Sequence, residues 1–188
     1  MKSIKPLFAL SILCLLAWAA CKDDDGNVIE NPPVNRYEAC CGVQAVEATT
    51  GQGHVYIPNI FTPNGDGIND AFMIFADDNI EQIEELKVKD QEGVVAFAYF
   101  NFPPSRVEFG WMPSEKEAPG GLYNFRAVIR STGNVVDTVS GSVCVYRCKT
   151  EADSVLMENI SNCQWPTQND GAGGHDPFFP AFETDECF

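Results

Sequence analysis

Apolar and polar residues alternate through much of the middle of the chain. Leu86-Lys87-Val88-Lys89 and Tyr123-Asn124-Phe125-Arg126-Ala127-Val128-Ile129 each set an apolar face against a polar one, as a half-buried strand does. The pattern predicts strands over 54–57, 71–75, 83–89, 94–100, 107–111, 122–129 and 135–146. Asp90-Gln91-Glu92-Gly93 and Ser131-Thr132-Gly133-Asn134 carry hairpin-turn chemistry. Residues 77–85 allow one helical turn or a loop, no helix is long enough to lead the fold, and no internal repeat stands out. Strands of this length with turns at this spacing predict one all-β domain over 37–149, an antiparallel sandwich.

Residues 56–72 organise that domain. Apolar Tyr56, Ile57, Ile60 and Phe61 lead into Thr62-Pro63-Asn64-Gly65-Asp66-Gly67-Ile68-Asn69-Asp70. Proline presets φ, glycine admits positive φ, and Asn and Asp bond their own backbone, so the stretch specifies one tight path. Thr62, Asn64, Asp66, the Ile68 carbonyl and Asp70 fall at alternate positions, the spacing of oxygen-ligand calcium loops, with Gly67 placed for a sharp turn. Thr62 stands where such loops begin with Asp, and Met73 where they end with Glu. A self-bonded turn is the competing reading. Calcium is the one cofactor the sequence offers.

The first residues describe an address. Lys2 and Lys5 precede an apolar run over 7–20 that ends at Cys21, a secretory leader too short for a comfortable membrane span. Ala19-Ala20-Cys21 resembles a bacterial lipobox, with Trp18 where a smaller aliphatic residue is usual. The resemblance implies cleavage after residue 20 and lipidation (palmitate among the acyl groups) of Cys21. Lys22, Asp23, Asp24 and Asp25 resemble the surface-export signal of Bacteroidota lipoproteins, which implies the outer face of the outer membrane. Residues 21–36 are then an acidic flexible tether.

Removing residues 1–20 leaves ten basic against 27 acidic residues, a net charge of −17. That excludes nucleic acid as a natural partner. Six cysteines remain beyond Cys21: Cys40, Cys41, Cys144, Cys148, Cys163 and Cys187. In an exported chain an even six reads as three disulfides, with zinc disfavoured because no histidine or second close pair accompanies Cys144 and Cys148. The expected pairing sets Cys40 and Cys41 on Cys144 and Cys148, and Cys163 on Cys187.

Residues 150–188 lack either period and read as an irregular, disulfide-clipped C-terminal arm. Trp165, Phe178, Phe179 and Phe182 are its candidate contacts, either against the sandwich or with a partner. Asp170, Asp176 and Asp185 form a second, weaker cation candidate.

The 61–70 stretch, Phe-Thr-Pro-Asn-Gly-Asp-Gly-Ile-Asn-Asp, closely resembles the hallmark of the gliding motility-associated C-terminal domain, the type B sorting domain of the type 9 secretion system. Leu86-Lys87-Val88, Gly121-Leu122-Tyr123-Asn124-Phe125 and Gly141-Ser142-Val143-Cys144-Val145-Tyr146 sit where that family has further strands. The resemblance implies an immunoglobulin-like β-sandwich. Asp90-Gln91-Glu92-Gly93 departs from the family's Asn-Arg-Trp-Gly, and residues follow Tyr146 where the family domain ends its protein.

No nucleophile–base motif accompanies His54 or His175, so the chain is read as non-enzymatic. The expectation is a surface-exposed outer-membrane lipoprotein that serves as a structural or interaction subunit. Its protein partners would form an outer-membrane complex built on a barrel: a SusC-like transporter, the type 9 translocon or the outer-membrane protein assembly machinery. The alternatives are a glycan- or surface-binding module using Trp111 and Trp165, and a type 9 sorting domain.

Overall fold

The two segments with the cleanest alternation become neighbouring inner strands of the larger sheet. The computed structural model describes residues 37, 40, 42–147 and 162–181. Among these, eight strands follow in order: β1 Val46–Thr50, β2 Gly53–Ile57, β3 Ile60–Phe61, β4 Phe75–Ala76, β5 Ile80–Lys89, β6 Val95–Phe102, β7 Gly121–Ser131 and β8 Val135–Val145. One sheet has the order β1-β2-β4 and the other β3-β8-β7-β5-β6. The pairings are antiparallel except for β3 on β8, which sets Ile60 beside Cys144 and Phe61 beside Val145 in parallel. The expected all-β, immunoglobulin-like sandwich is the fold of the chain.

Alternation explains the layers. Ile83, Leu86 and Val88 of β5 and Phe125, Ala127 and Ile129 of β7 point inward, meeting Val55 and Ile57 of β2 and the rings of Phe61 and Phe72. The opposite face of β5 and β7 carries paired charges: Glu85 with Lys87 and Arg126, and Glu84 with Arg130. The Lys87 ammonium, bonded to Glu85, holds that carboxyl below the usual glutamate range, with Arg126 adding to the effect.

Three strands cannot cover five, and the β6–β7 connection fills the difference. Phe109 packs 5.5 Å from Tyr99 and 5.8 Å from Phe102, while Trp111 packs 6.3 Å from Phe97 and 5.4 Å from Phe61, centroid to centroid. This corrects the strand expected over 107–111. Val107–Phe109 is a 3-10 turn, and Trp111 makes a single bridge to Phe72. The apolar pattern there serves a plug, not a ladder.

The strand expected over 71–75 is likewise interrupted. Phe72 pairs with Trp111, whereas Phe75 pairs with Tyr56 of β2, so the segment changes partner as it crosses the sandwich. The helical turn allowed for 77–85 does not form. The Asp77 side chain accepts the Asn79 N–H at 3.0 Å and its carbonyl accepts that of Ile80 at 3.2 Å, closing a turn from which β5 starts. β1 was not expected. Its Val-Glu-Ala-Thr-Thr sequence is weakly apolar and becomes a strand by pairing with β2, Val46 opposite Ile57.

Candidate functional site

The signature loop is held by its own side chains. Gly65 and Gly67, at φ of 87° and 89°, take a left-handed path that turns their amides toward Asp70. Asp70 accepts both, Gly65 N–H on Oδ1 and Gly67 N–H on Oδ2, each at 2.7 Å. Asn64 Oδ1 accepts Asp66 N–H at 2.9 Å, and Asp66 Oδ1 accepts Ile68 N–H at 2.7 Å. These are successive Asx turns. The oxygens predicted as calcium ligands on Asn64, Asp66 and Asp70 thus face loop amides, while Thr62 is buried and closes the loop by donating its N–H to the Asn69 carbonyl at 2.9 Å. No group of three or more His, Cys, Asp or Glu side chains with metal-site geometry occurs among the described residues.

Asp70 is the one side chain that binds two of these amides. Asp70→Ala is expected to cost about 2 kcal/mol, two charge-assisted bonds less their solvent exchange. Hydrogen exchange at Gly65 and Gly67 should accelerate while that of β7 stays slow. Unchanged exchange at the glycines would contradict the arrangement.

The loop also clamps the segment that follows β8. Asn69, buried and at φ of 52°, donates Nδ2–H to the Ala181 carbonyl at 2.8 Å and accepts Thr167 N–H on Oδ1 at 3.0 Å. Asn59, 1% exposed, does the same one strand earlier. Its Nδ2 donates to the carbonyls of Val43 and Asn162, both at 3.0 Å, and its Oδ1 accepts Gln164 N–H at 2.7 Å. Tyr56 completes the row by donating its hydroxyl to the Trp165 carbonyl at 2.9 Å, and burial pushes that hydroxyl's pKa far up. Gly173 lies so close to β2 that a Cβ would sit 2.2 Å from the His54 carbonyl oxygen. Residues 162–181 are therefore part of the folded body.

A second core closes the same end. Tyr37, Cys40, Ile60, Cys144, Tyr146 and Trp165 pack together, with Cys163 and Ala181 against them. Cys40 and Cys144 are disulfide-bonded across 104 residues of sequence. That pair agrees with the expected set. Cys41, Cys148 and Cys187 lie outside the described residues, as do Cys21, Lys22, Asp23, Asp24, Asp25, Phe182 and Asp185. Beside this core Arg147 donates to three carbonyls, Ala118 at 3.2 Å, Pro63 at 2.9 Å and Pro113 at 2.6 Å, while its carbonyl accepts the Tyr37 hydroxyl at 2.8 Å. A lone arginine after a strand gave no sequence signal of this role.

Several candidate contacts are corrected by burial. Trp111 is 4% and Trp165 5% exposed, so neither offers a face for sugar stacking or a partner. Phe178, 94% exposed, does not plug the arm onto the sandwich, while Phe179 is 45% exposed. Asp170 is used locally: its Oδ1 accepts the Ala172 and Gly174 amides at 2.7 and 2.8 Å, which, Gly174 foremost, hold its carboxyl below the usual range. Asp176 accepts Phe178 N–H at 2.9 Å. His54 lies 3.3 Å from the Thr49 hydroxyl, and the His175 ring sits tilted against Tyr56, 5.7 Å away centroid to centroid.

The geometry defines a two-sheet β-sandwich with a self-bonded signature loop and a sealed end. Residues 55–145, from β2 through β8, match the CHU_C type IX secretion signal domain. No curated protein and no solved structure matches the chain. A domain of this family marks cell-surface or secreted proteins of Bacteroidota. The match leaves out Tyr37, Cys40 and residues 162–181, which help to seal the second core.

Proposed function

We propose that the chain is a lipid-anchored surface protein in which a type IX secretion signal-type sandwich serves as a stationary interaction subunit of an outer-membrane complex. The observation that carries this reading is the seal. The end of β8 is tied to Cys40 and covered by Trp165, and Asn59, Asn69 and Tyr56 hold residues 162–181 through their backbone. A domain whose last strand is built into a larger body suits a permanent part better than an appended tag. The leader and Cys21-Lys22-Asp23-Asp24-Asp25 supply the anchor and address.

A second reading rests on the family match itself: residues 55–145 are read by the type IX translocon and deliver the chain to the surface. Affinity purification of the tagged chain from outer membranes in mild detergent separates the two, run in the native host and in a strain lacking the translocon. The first reading expects a barrel-forming partner and undiminished surface exposure in both strains. Loss of surface exposure in the translocon-deficient strain would replace it with the second.

A further inference from the structure

The sandwich has four sheet-end strands, and they are treated unequally. β3 and β4 have two residues each, too short to template another chain. β1 carries Glu47, and β8, left uncovered by short β3 over most of its length, carries Asp137. Short length and edge charge are the usual protections against edge pairing. β6 has neither: it runs eight residues, Val-Ala-Phe-Ala-Tyr-Phe-Asn-Phe, with no charge or proline, in a chain of net charge −15, and its regular part lies between a bulge at Ala96 and the left-handed Asn101. It is hydrogen-bonded to β5 and ends its sheet.

β6 also breaks the alternation that β5 and β7 obey. Phe97 and Tyr99 lie opposite inward-facing Val88 and Leu86, while Ala98 and Phe100 lie opposite Lys87 and Glu85 on the charged outer face. Both faces of this edge are thus apolar, and Val95, Tyr99 and Phe100 are 49%, 40% and 53% exposed. A solvated edge has no need of an apolar outer face, and Phe100 is left there for a neighbouring chain to cover.

We propose that β6 is a dimer interface, pairing antiparallel with β6 of a second copy about a two-fold axis near Ala98. Self-pairing closes the assembly, while β6 on β1 or β8 of another copy would propagate as a fibre. The end charges choose the direction. Asp90 and Glu92 precede the strand and Arg106 is the first charge after it, so antiparallel pairing brings the acidic start of one strand toward the basic exit of the other. Parallel pairing would stack acid on acid. The inference stands apart from the anchoring and partner reading above, since it uses the edge alone.

The test is sedimentation of the full chain in mild detergent, with Ala98→Glu as the probe. Ala98 faces Lys87 within the monomer, so the new carboxylate leaves the fold intact. Across the two-fold axis it meets its own copy. The expected result is a dimer for the natural chain and a monomer for Ala98→Glu, with the same β-sheet circular dichroism for both. Ala98→Cys should in turn give a disulfide-linked dimer on the membrane, and Val136→Cys on β8 should not. A natural chain that stays monomeric across concentrations, or a dimer that Ala98→Glu leaves intact, overturns the proposal.

Discussion

Replacing Cys40 and Cys144 together by serine is expected to destabilise the chain by about 4–5 kcal/mol, the largest effect of any change considered. The bond joins a residue ahead of β1 to the end of β8 and spans 104 residues of sequence. On the chain-entropy account a loop of about 100 residues contributes roughly 4.7 kcal/mol by restricting the unfolded ensemble. The double variant is needed because Cys41 adjoins Cys40 and offers Cys144 a substitute partner. Urea unfolding should show the midpoint falling by about 2–3 M at an m-value typical of this size. A fall below about 0.5 M would mean that the second core holds without its cross-link.

Arg147→Ala ranks next, at about 3–5 kcal/mol. Its three carbonyl partners lie in two separate stretches: Pro63 in the signature loop, and Pro113 and Ala118 in the β6–β7 connection. Removing the guanidinium leaves three part-buried acceptors without their donor; bonds to a charged group contribute about 1.5–3 kcal/mol each net of solvent exchange, and water reaching the freed carbonyls recovers part of the sum. Arg147→Lys should recover less than half of the loss, because an ammonium is a point donor and the three carbonyls are spread to match a planar fork. Thermal unfolding checks both variants. Equal melting of Arg147→Lys and the natural chain would show that charge, and not the fork, is what matters.

What could be read from the sequence divides along a physical line. The signature loop was legible because its bonds are local: Asn64, Asp66 and Asp70 reach amides no more than five residues away. The β7–β8 hairpin was legible for the same reason, alternation on both sides of a Gly-Asn turn. The clamp was not. Asn59 and Asn69 reach residues about a hundred positions on through single side chains, and nothing in their neighbourhood announces it. The same pattern that promised a strand at 107–111 delivered a plug, because Phe109 and Trp111 cover strands that the smaller sheet leaves bare. Composition told that these residues are buried; only topology decides what buries them. The alternating oxygens of the loop carried two meanings, ion ligand and Asx turn, and the observed bonds are those of the turn.

Residues 55–145 match the type IX secretion signal domain, yet Tyr37, Cys40 and Trp165 from outside that span complete the second core. The proposed role therefore requires that the domain be retained in the working protein. The intact mass of the chain extracted from outer membranes tests this most directly. The account predicts a species that begins at acylated Cys21 and retains the sandwich together with residues 162–181. A surface form that lacks residues 55–145, or that carries no acyl group on Cys21, would contradict it.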